Sequence, residues 1–369
     1  KKRGQYWLVE NLEKPSGIFD EAFEKLIPQI KAWCEASGLE VYNQKTHEGF
    51  WRNLLVRKSF AEDKLLICMV VSQSTSDNIQ YTILQHEFLK LLQEALGDRV
   101  KGVFWQTSKS VSDSVRNHET RKLLFGEMIL VEKINNLEFE ISLESFFQTN
   151  PQSAEKLYDK VVEYIESGLK SRGDDLRPDS APLVLDLFCG TGTIGQIIKH
   201  QMPNTRVIGV EILEEAIKDA KANAKRNDLN DLKFFSGDVG KFLKAHPEYE
   251  GKIDTVVLDP PRAGIAPKTL RKVLDLGAQT MIYISCNPST MARDTVTLKE
   301  AGYKLEKLSM VDQFPHTAHV ECVGRFILSC GIYFSILNIF QIFKSGYKTL
   351  KQVQGDNHLM FVIGTLELL

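Results

Sequence analysis

From residue 183 onward, short apolar runs alternate with amphipathic stretches. The runs are "LVLDLF" (183–188), "RVIGVEI" (206–212), "LKFFSGD" (232–238), "DTVVLD" (254–259) and "TMIYIS" (280–285). Between them lie "TIGQIIKH", "LEEAIKDAKANAKRN" and "PKTLRKVLDLG", with apolar residues at helical spacing. Strand and helix in alternation predict a parallel, doubly wound α/β sheet. Residues 1–150 mix the two periods instead. "GIFDEAFEKLIPQIKAWCEASG" (17–38) places Phe23, Leu26, Ile30 and Trp33 on one helical face and ends at Gly38. "FWRNLLVRKS", "KLLICMVVS" and "RVKGVFWQTS" read as strands. "NIQYTILQHEFLKLLQEALGD" becomes helical towards Gly97, and Asn135-Asn136 splits two apolar runs as a hairpin turn does. This half predicts a smaller α+β domain. "SAEKLYDKVVEYIESGL" (153–169) is a helix with Leu157, Val161, Val162 and Ile165 on one face, and the polar 170–182 stretch is a connector. The organisation expected is therefore 1–140, 141–323 and an atypical tail, 324–369.

Composition narrows the class only slightly. At 369 residues, 43% hydrophobic and 25% charged, the chain has the make-up of a globular protein of two or three domains. Its net charge of −2 neither demands nor excludes nucleic acid, since a basic patch can sit on a neutral protein. The six cysteines (34, 68, 189, 286, 322 and 330) form no C-x-x-C pair, so they read as free thiols of a reducing, intracellular compartment.

Candidate chemistry gathers at the ends of the predicted strands. "VLDLFCGTGTIG" (184–195) runs into a turn where Gly190, Gly192 and Gly195 let the backbone approach a ligand closely. Glu211 ends the next strand, where an acid binds a ribose diol in Rossmann-type folds. Asp238 follows the third strand; it suits an adenine amino group or the N-cap of the next helix equally well. The turn lacks the Lys-Ser/Thr of a phosphate loop, and the order of Gly turn and two acids suits S-adenosyl-L-methionine better than a dinucleotide. "VVLDPPRAG" (256–264) puts Asp259 and Arg262 on a proline-stiffened loop. "MIYISCNPSTMARD" (281–294) brings Cys286 to the same edge. That stretch alone also describes a buried structural thiol. "FPHTAHVECV" (314–323) adds His316, His319 and Glu321 without a third metal ligand at sensible spacing, so no metal is expected.

Taken in order, "FFQTNPQSAEKLY", "DLFCGTGTIG", "LDPPRAG", "SCNPSTMARD" and "HTAHVE" resemble the RNA uracil-5-methyltransferases, densely over 141–323 and thinly before. The resemblance implies a Rossmann-like domain that transfers a methyl group from S-adenosyl-L-methionine to carbon 5 of a uridine. Cys286 would add to carbon 6 and Glu321 would remove the carbon-5 proton. It makes Gln148, Phe188, Gly190, Thr193, Glu211, Asp238 and Asp259 cofactor contacts, and Arg262, with Asp259 as an alternative, a substrate contact. Thr193 stands where relatives can carry Asn, and a structural salt bridge is an equal reading of Arg262.

The implied partner is RNA, transfer RNA in preference to ribosomal RNA, because no iron–sulfur cysteine cluster is visible. A monomer is expected. The N-terminal β-barrel usual in the family is not visible either. The basic 101–122 stretch (Lys101, Lys109, Arg116, Arg121 and Lys122, with Phe104 and Trp105) fits phosphate contacts and base stacking, or a solvated face over a core strand. Residues 326–343 carry no charge, yet Ser329, Ser335, Asn338 and Gln341 weigh against a membrane span. Two rivals keep the scaffold: a non-catalytic RNA-binding or folding factor, and an RNA cytosine-5-methyltransferase. The latter tends to carry a second cysteine in the loop that here reads Asp-Pro-Pro-Arg.

Overall fold

A computed structural model describes residues 16–17, 19–72, 79–110, 121–143, 145–170, 181–315, 317, 319–329 and 364–367. His316, Arg116, Cys330, most of the 170–182 connector and nearly all of the chain after residue 329 lie outside the described residues. The chain forms two compact units. One comprises residues 1–132 and 140–145, the other 133–139 and 146–369. The division at 140/141 expected from the sequence falls inside a strand of the hairpin whose residues the two units share.

In the first unit, strands β1 (Trp51–Ser59), β2 (Lys64–Ser72), β3 (Val100–Ser108) and β4 (Arg121–Gly126) form a sheet in sequential order. β2 and β3 are parallel, which requires the crossover helix α2 (Ile79–Leu96). α1 (Glu21–Ala36) and α2 cover one face, packing Phe23, Leu26, Ile30, Phe88 and Leu92 on Ile67, Met69 and Trp105. The other face buries Leu66, Cys68, Val70 and Phe104 with Leu130 and Leu143. A strand buried on both faces reads as an unbroken apolar run, which "LLICMVV" is.

This packing corrects the stacking reading of the basic stretch. Phe104 and Trp105 are core side chains, 2% and 1% exposed. Lys101 pairs with Glu62 and Glu127, while Arg121 and Lys122 hydrogen-bond Gln106 and Gln85. Lys109 is exposed. The hairpin β5 (Ile129–Ile134) and β6 (Leu137–Ser142) turns at Asn135 and Asn136, both at positive φ (49° and 63°), as a tight two-residue turn requires.

In the second unit, five strands are parallel as the alternation predicts: β7 (Leu183–Leu187), β8 (Arg206–Glu211), β9 (Lys233–Ser236), β10 (Thr255–Leu258) and β11 (Thr280–Ser285). α3 (Pro151–Lys170), α4 (Thr193–Gln201), α5 (Glu214–Arg226), α6 (Val239–Ala245), α7 (Pro267–Leu274) and α8 (Pro288–Glu300) accompany them. The sheet is mixed rather than wholly parallel. β12 (Tyr303–Val311) and β13 (Glu321–Leu328) extend it, with β13 antiparallel to both β11 and β12. The described strand order is β14-β12-β13-β11-β10-β7-β8-β9, where β14 is Gly364–Glu367.

Residues 324–328, expected from the sequence to open an atypical tail, lie in β13. Gly324–Leu328 complete β13: Phe326 pairs with Met281, and buried Arg325 is held by Glu306 and Ser167. Among the described residues no helix is long and apolar enough to cross a membrane.

Candidate active site

The glycine-rich turn is shaped by β7. Asp186, fully buried, accepts the Gly195 N–H at 3.1 Å through Oδ2 and so holds the start of α4 against the strand. Its Oδ1 has no hydrogen-bond partner among the described residues. Phe188 and Gly192 adopt left-handed backbone, φ 65° and 72°. At position 192 glycine is required, since a Cβ would lie 2.6 Å from the Phe234 ring. At Gly190 (φ 53°) a Cβ would meet nothing within 4 Å, so the turn leaves open space beside its backbone. Glu211, half-buried at the end of β8, accepts the Gly190 N–H at 3.2 Å and the Leu213 N–H at 3.0 Å. Thr193 opens α4, with its hydroxyl 3.3 Å from that of Thr191. Asp238 is exposed and caps α6 through the Lys241 N–H at 2.8 Å, the helix-cap alternative of the two foreseen.

Sheet register brings the reactive groups to one edge. Leu258 of β10 lies beside Tyr283 of β11, and Ser285 lies opposite Cys322 of β13. The residues next in chain at this end are Asp259, Cys286 and Glu321. Cys286 is half-buried and Glu321 is 4% exposed. Burial, then the charge of Asp259, pushes Glu321 up to about 8. Burial alone pushes Asp259 to about 7. Asp186 rises to about 8 through burial and then Asp259. The Cys286 thiol is raised by burial, Glu321 and Asp259, while Arg262 opposes the rise. A thiol in this setting is protonated at rest.

The loop after β10 is pinned from below. Asn287 Nδ2 donates to the Arg262 carbonyl at 3.2 Å, and its Oδ1 caps α8 at Ser289. Arg293 donates to the Ala263 carbonyl at 3.1 Å. Asp294, 4% exposed, accepts both the Ile265 N–H at 2.9 Å and the Tyr283 hydroxyl at 2.7 Å. The exposed Arg262 side chain donates to Nδ1 of His319 at 3.2 Å, a histidine partner rather than a salt bridge among the described residues. Among the described residues no group of His, Cys, Asp and Glu could hold a metal ion.

Three residues of this edge carried no role in the sequence reading. Asp186 stands within "VLDLFCG", where a polar residue breaks an apolar strand. Asp294 stands within "STMARD", two turns along a helix. Tyr158 is 5% exposed on α3, and burial and then the charge of Asp259 push its hydroxyl well above its ordinary value. Its signal was the helical spacing from Leu157 and Val161, which announces burial.

A family model described as tRNA (uracil-5-)-methyltransferase matches residues 75–328. An uncharacterised RNA methyltransferase of Clostridium acetobutylicum is 39% identical over 316 residues, covering 85% of this chain and 64% of that protein. One of Caldanaerobacter subterraneus subsp. tengcongensis is 38% identical over 327 residues, covering 88% and 67%. The chain thus spans about two thirds of the length of these relatives. Among solved structures, the Pyrococcus abyssi tRNA (uracil-54, C5)-methyltransferase in complex with S-adenosyl-L-homocysteine superposes with a TM-score of 0.66 at 25% identity, covering 88% of this chain and 72% of that one. By the match over most of its length, the chain belongs to the tRNA (uracil-5-)-methyltransferase family.

Proposed function

We propose that this protein methylates carbon 5 of a uridine in RNA, transfer RNA in preference to ribosomal RNA, using S-adenosyl-L-methionine and a covalent cysteine–uracil adduct. One observation carries the reading: β10 and β11 end where the antiparallel β13 begins, presenting Asp259, a thiol and a buried carboxyl at one edge of the sheet. The family description and the Pyrococcus abyssi relative support transfer RNA as the substrate class.

The pocket residues suit the methyl donor. The open space beside Gly190 admits a ligand to the backbone, Glu211 presents a carboxylate for a ribose diol, and the buried Asp186 Oδ1 lacks a partner among the described residues. Asp238 retains the carboxylate oxygen not used in its cap for an adenine amino group. Gln148, Phe188 and Thr193 complete the wall. When bound, S-adenosyl-L-methionine supplies an electrophilic methyl group on a sulfonium cation.

Cys286 Sγ, as thiolate, forms a bond to carbon 6 of the uracil. The carbon 5–carbon 6 π pair then becomes available at carbon 5, which would take the methyl group as its bond to the sulfonium sulfur breaks and S-adenosyl-L-homocysteine leaves. The Glu321 carboxylate next removes the carbon-5 proton. The electrons of that C–H bond restore the double bond and expel Sγ. A base titrating at about 8 is poised for this work near physiological pH. Among the described residues the charge of Arg262, in the loop after β10, favours the thiolate. The target uridine must leave its stack, or be single-stranded, to reach Sγ.

The test uses 5-fluorouridine-substituted RNA, in which fluorine replaces the departing proton. With S-adenosyl-L-methionine, a denaturation-resistant protein–RNA adduct is expected from the full chain and none from Cys286→Ala. Glu321→Gln should accumulate the adduct even on unsubstituted RNA. Absence of any adduct from the native chain with competent RNA sinks the covalent mechanism. Methylation of ribosomal but not transfer RNA, read by nucleoside mass spectrometry, overturns the choice of substrate.

A further inference from the structure

We propose that His319 is a positioning residue for Arg262: its imidazole Nδ1 holds the guanidinium in a bridge across the end of β11, the strand that delivers Cys286. It rests on the uracil methylation proposed above, with Arg262 as a contact of the substrate.

Sheet order places the bridge. β11 lies between β10 and β13. Arg262 stands in the loop after β10, and His319 comes two residues before Glu321 opens β13. Neighbouring strands lie about 4.8 Å apart, so these two flanking strands are separated by about 10 Å. The Arg262 side chain closes that gap, its Nη2 donating to His319 Nδ1 at 3.2 Å. From the middle strand, Asn287, the residue after Cys286, donates its Nδ2 to the Arg262 carbonyl at 3.2 Å. Three strand ends thus meet at one residue. Asn287 holds its backbone, and His319 holds its charged head.

The imidazole is set in place by its own segment. The His319 N–H donates to Thr317 Oγ1 at 3.1 Å, and the Thr317 hydroxyl donates to the Phe314 carbonyl at 2.7 Å. The Phe314 ring meets the His319 ring edge to face, with centroids 6.3 Å apart. Upstream, Gln313 Nε2 donates to the Asn150 carbonyl at 3.0 Å, and the Asp312 carbonyl accepts the Ser153 hydroxyl at 3.0 Å. Downstream, Glu321 pairs with Val311 of β12. Arg262 is exposed, so packing alone does not choose its rotamer. A fixed acceptor does, and a group held before substrate arrives need not be ordered on binding.

Histidine suits the task because it accepts without carrying a negative charge. A guanidinium only donates, so Nδ1 accepts and the ring hydrogen of the pairing form sits on Nε2. An aspartate or glutamate here would also accept. It would, however, offset the positive charge of Arg262 and add a further acid beside Glu321. With His319 as partner, Arg262 keeps its charge, the one that opposes the rise of the Cys286 thiol.

The test compares the native chain with His319→Phe, His319→Asn, Arg262→Met and the double variant His319→Phe/Arg262→Met. Phenylalanine keeps a ring against Phe314 and removes the acceptor; asparagine returns an acceptor, Oδ1, near the place of Nδ1. The readout is the single-turnover rate of adduct formation on 5-fluorouridine-substituted transfer RNA with S-adenosyl-L-methionine. His319→Phe is expected to slow it about 3- to 10-fold, as loss of one exposed hydrogen bond to a charged group would. His319→Asn should recover most of that rate. The double variant should be no slower than Arg262→Met alone. S-adenosyl-L-homocysteine affinity, read by calorimetry, should stay within about twofold of native in His319→Phe. A native rate in His319→Phe, no recovery in His319→Asn, additive losses in the double variant, or a His319→Phe chain that melts well below native would each overturn the proposal. Absence of any adduct from the native chain overturns the function proposed above, a result read before any variant is made.

Discussion

Asp294 shows how one side chain joins the reactive edge together. Its Oδ2 receives the Tyr283 hydroxyl from β11 and the Ile265 N–H from the loop that carries Arg262, and Arg293 pairs with it at 2.7 Å. Replacing it by alanine leaves a buried phenol and a buried backbone N–H without an acceptor. We expect Asp294→Ala to cost about 3 kcal/mol in denaturant unfolding and to slow adduct formation more than it weakens S-adenosyl-L-homocysteine binding. Equal losses in both would show that the loop is not its point of action. At this scale the sequence was informative about groups with reactive chemistry. A thiol at a strand tip and an acid following two histidines stand out by type. Asp186 and Asp294 did not, because their significance is which atom each one touches, and helical or strand period records only the side on which a residue falls.

Among elements, the β7–α4 turn is the tightest constraint. Gly192 combines left-handed backbone with a Cβ position filled by the Phe234 ring and by Ala220 at 3.0 Å. Gly192→Ala is expected to lower stability by about 2–3 kcal/mol and to abolish measurable S-adenosyl-L-homocysteine binding, since either the turn or β9 must move. A variant with native affinity and native melting would show that the turn tolerates the shift. The glycines of this turn were legible as a motif, and so were the strands, whose runs match the observed bounds to within a residue or two. β12 and α8 were not singled out, and neither was the return of β13 between β11 and β12. Such an insertion leaves no local period behind. It is set by pairing between residues far apart in the chain, such as Ile284 with Val323.

At the scale of the whole molecule, the clustered carboxyls link folding to pH. Asp186, Asp259 and Glu321 titrate near 8, 7 and 8 in the folded chain, against ordinary values of 3.8, 3.8 and 4.5. Between about pH 4.5 and 8 the folded state therefore holds more protons than the unfolded one, and stability falls as pH rises through that window. Asp20, held far below the usual carboxylate range chiefly by Arg99, works in the opposite sense and loses its contribution only in strong acid. The melting temperature of the ligand-free protein should drop by about 3–6 °C from pH 5.5 to 8, and Glu321→Gln should flatten part of that slope. A melting temperature that climbs across this range would contradict the buried-acid cluster. The sequence by itself determined the alternation that builds the sheet, the glycine turn, and the order in which acid, thiol and acid arrive, because period and residue type are local properties. Tertiary structure alone decided that β13 runs antiparallel beside β11, that Phe104 and Trp105 are core rather than surface, and that Tyr283 meets Asp294. Each of these depends on which distant segments share a face, and no local pattern of hydrophobic and polar residues encodes that choice.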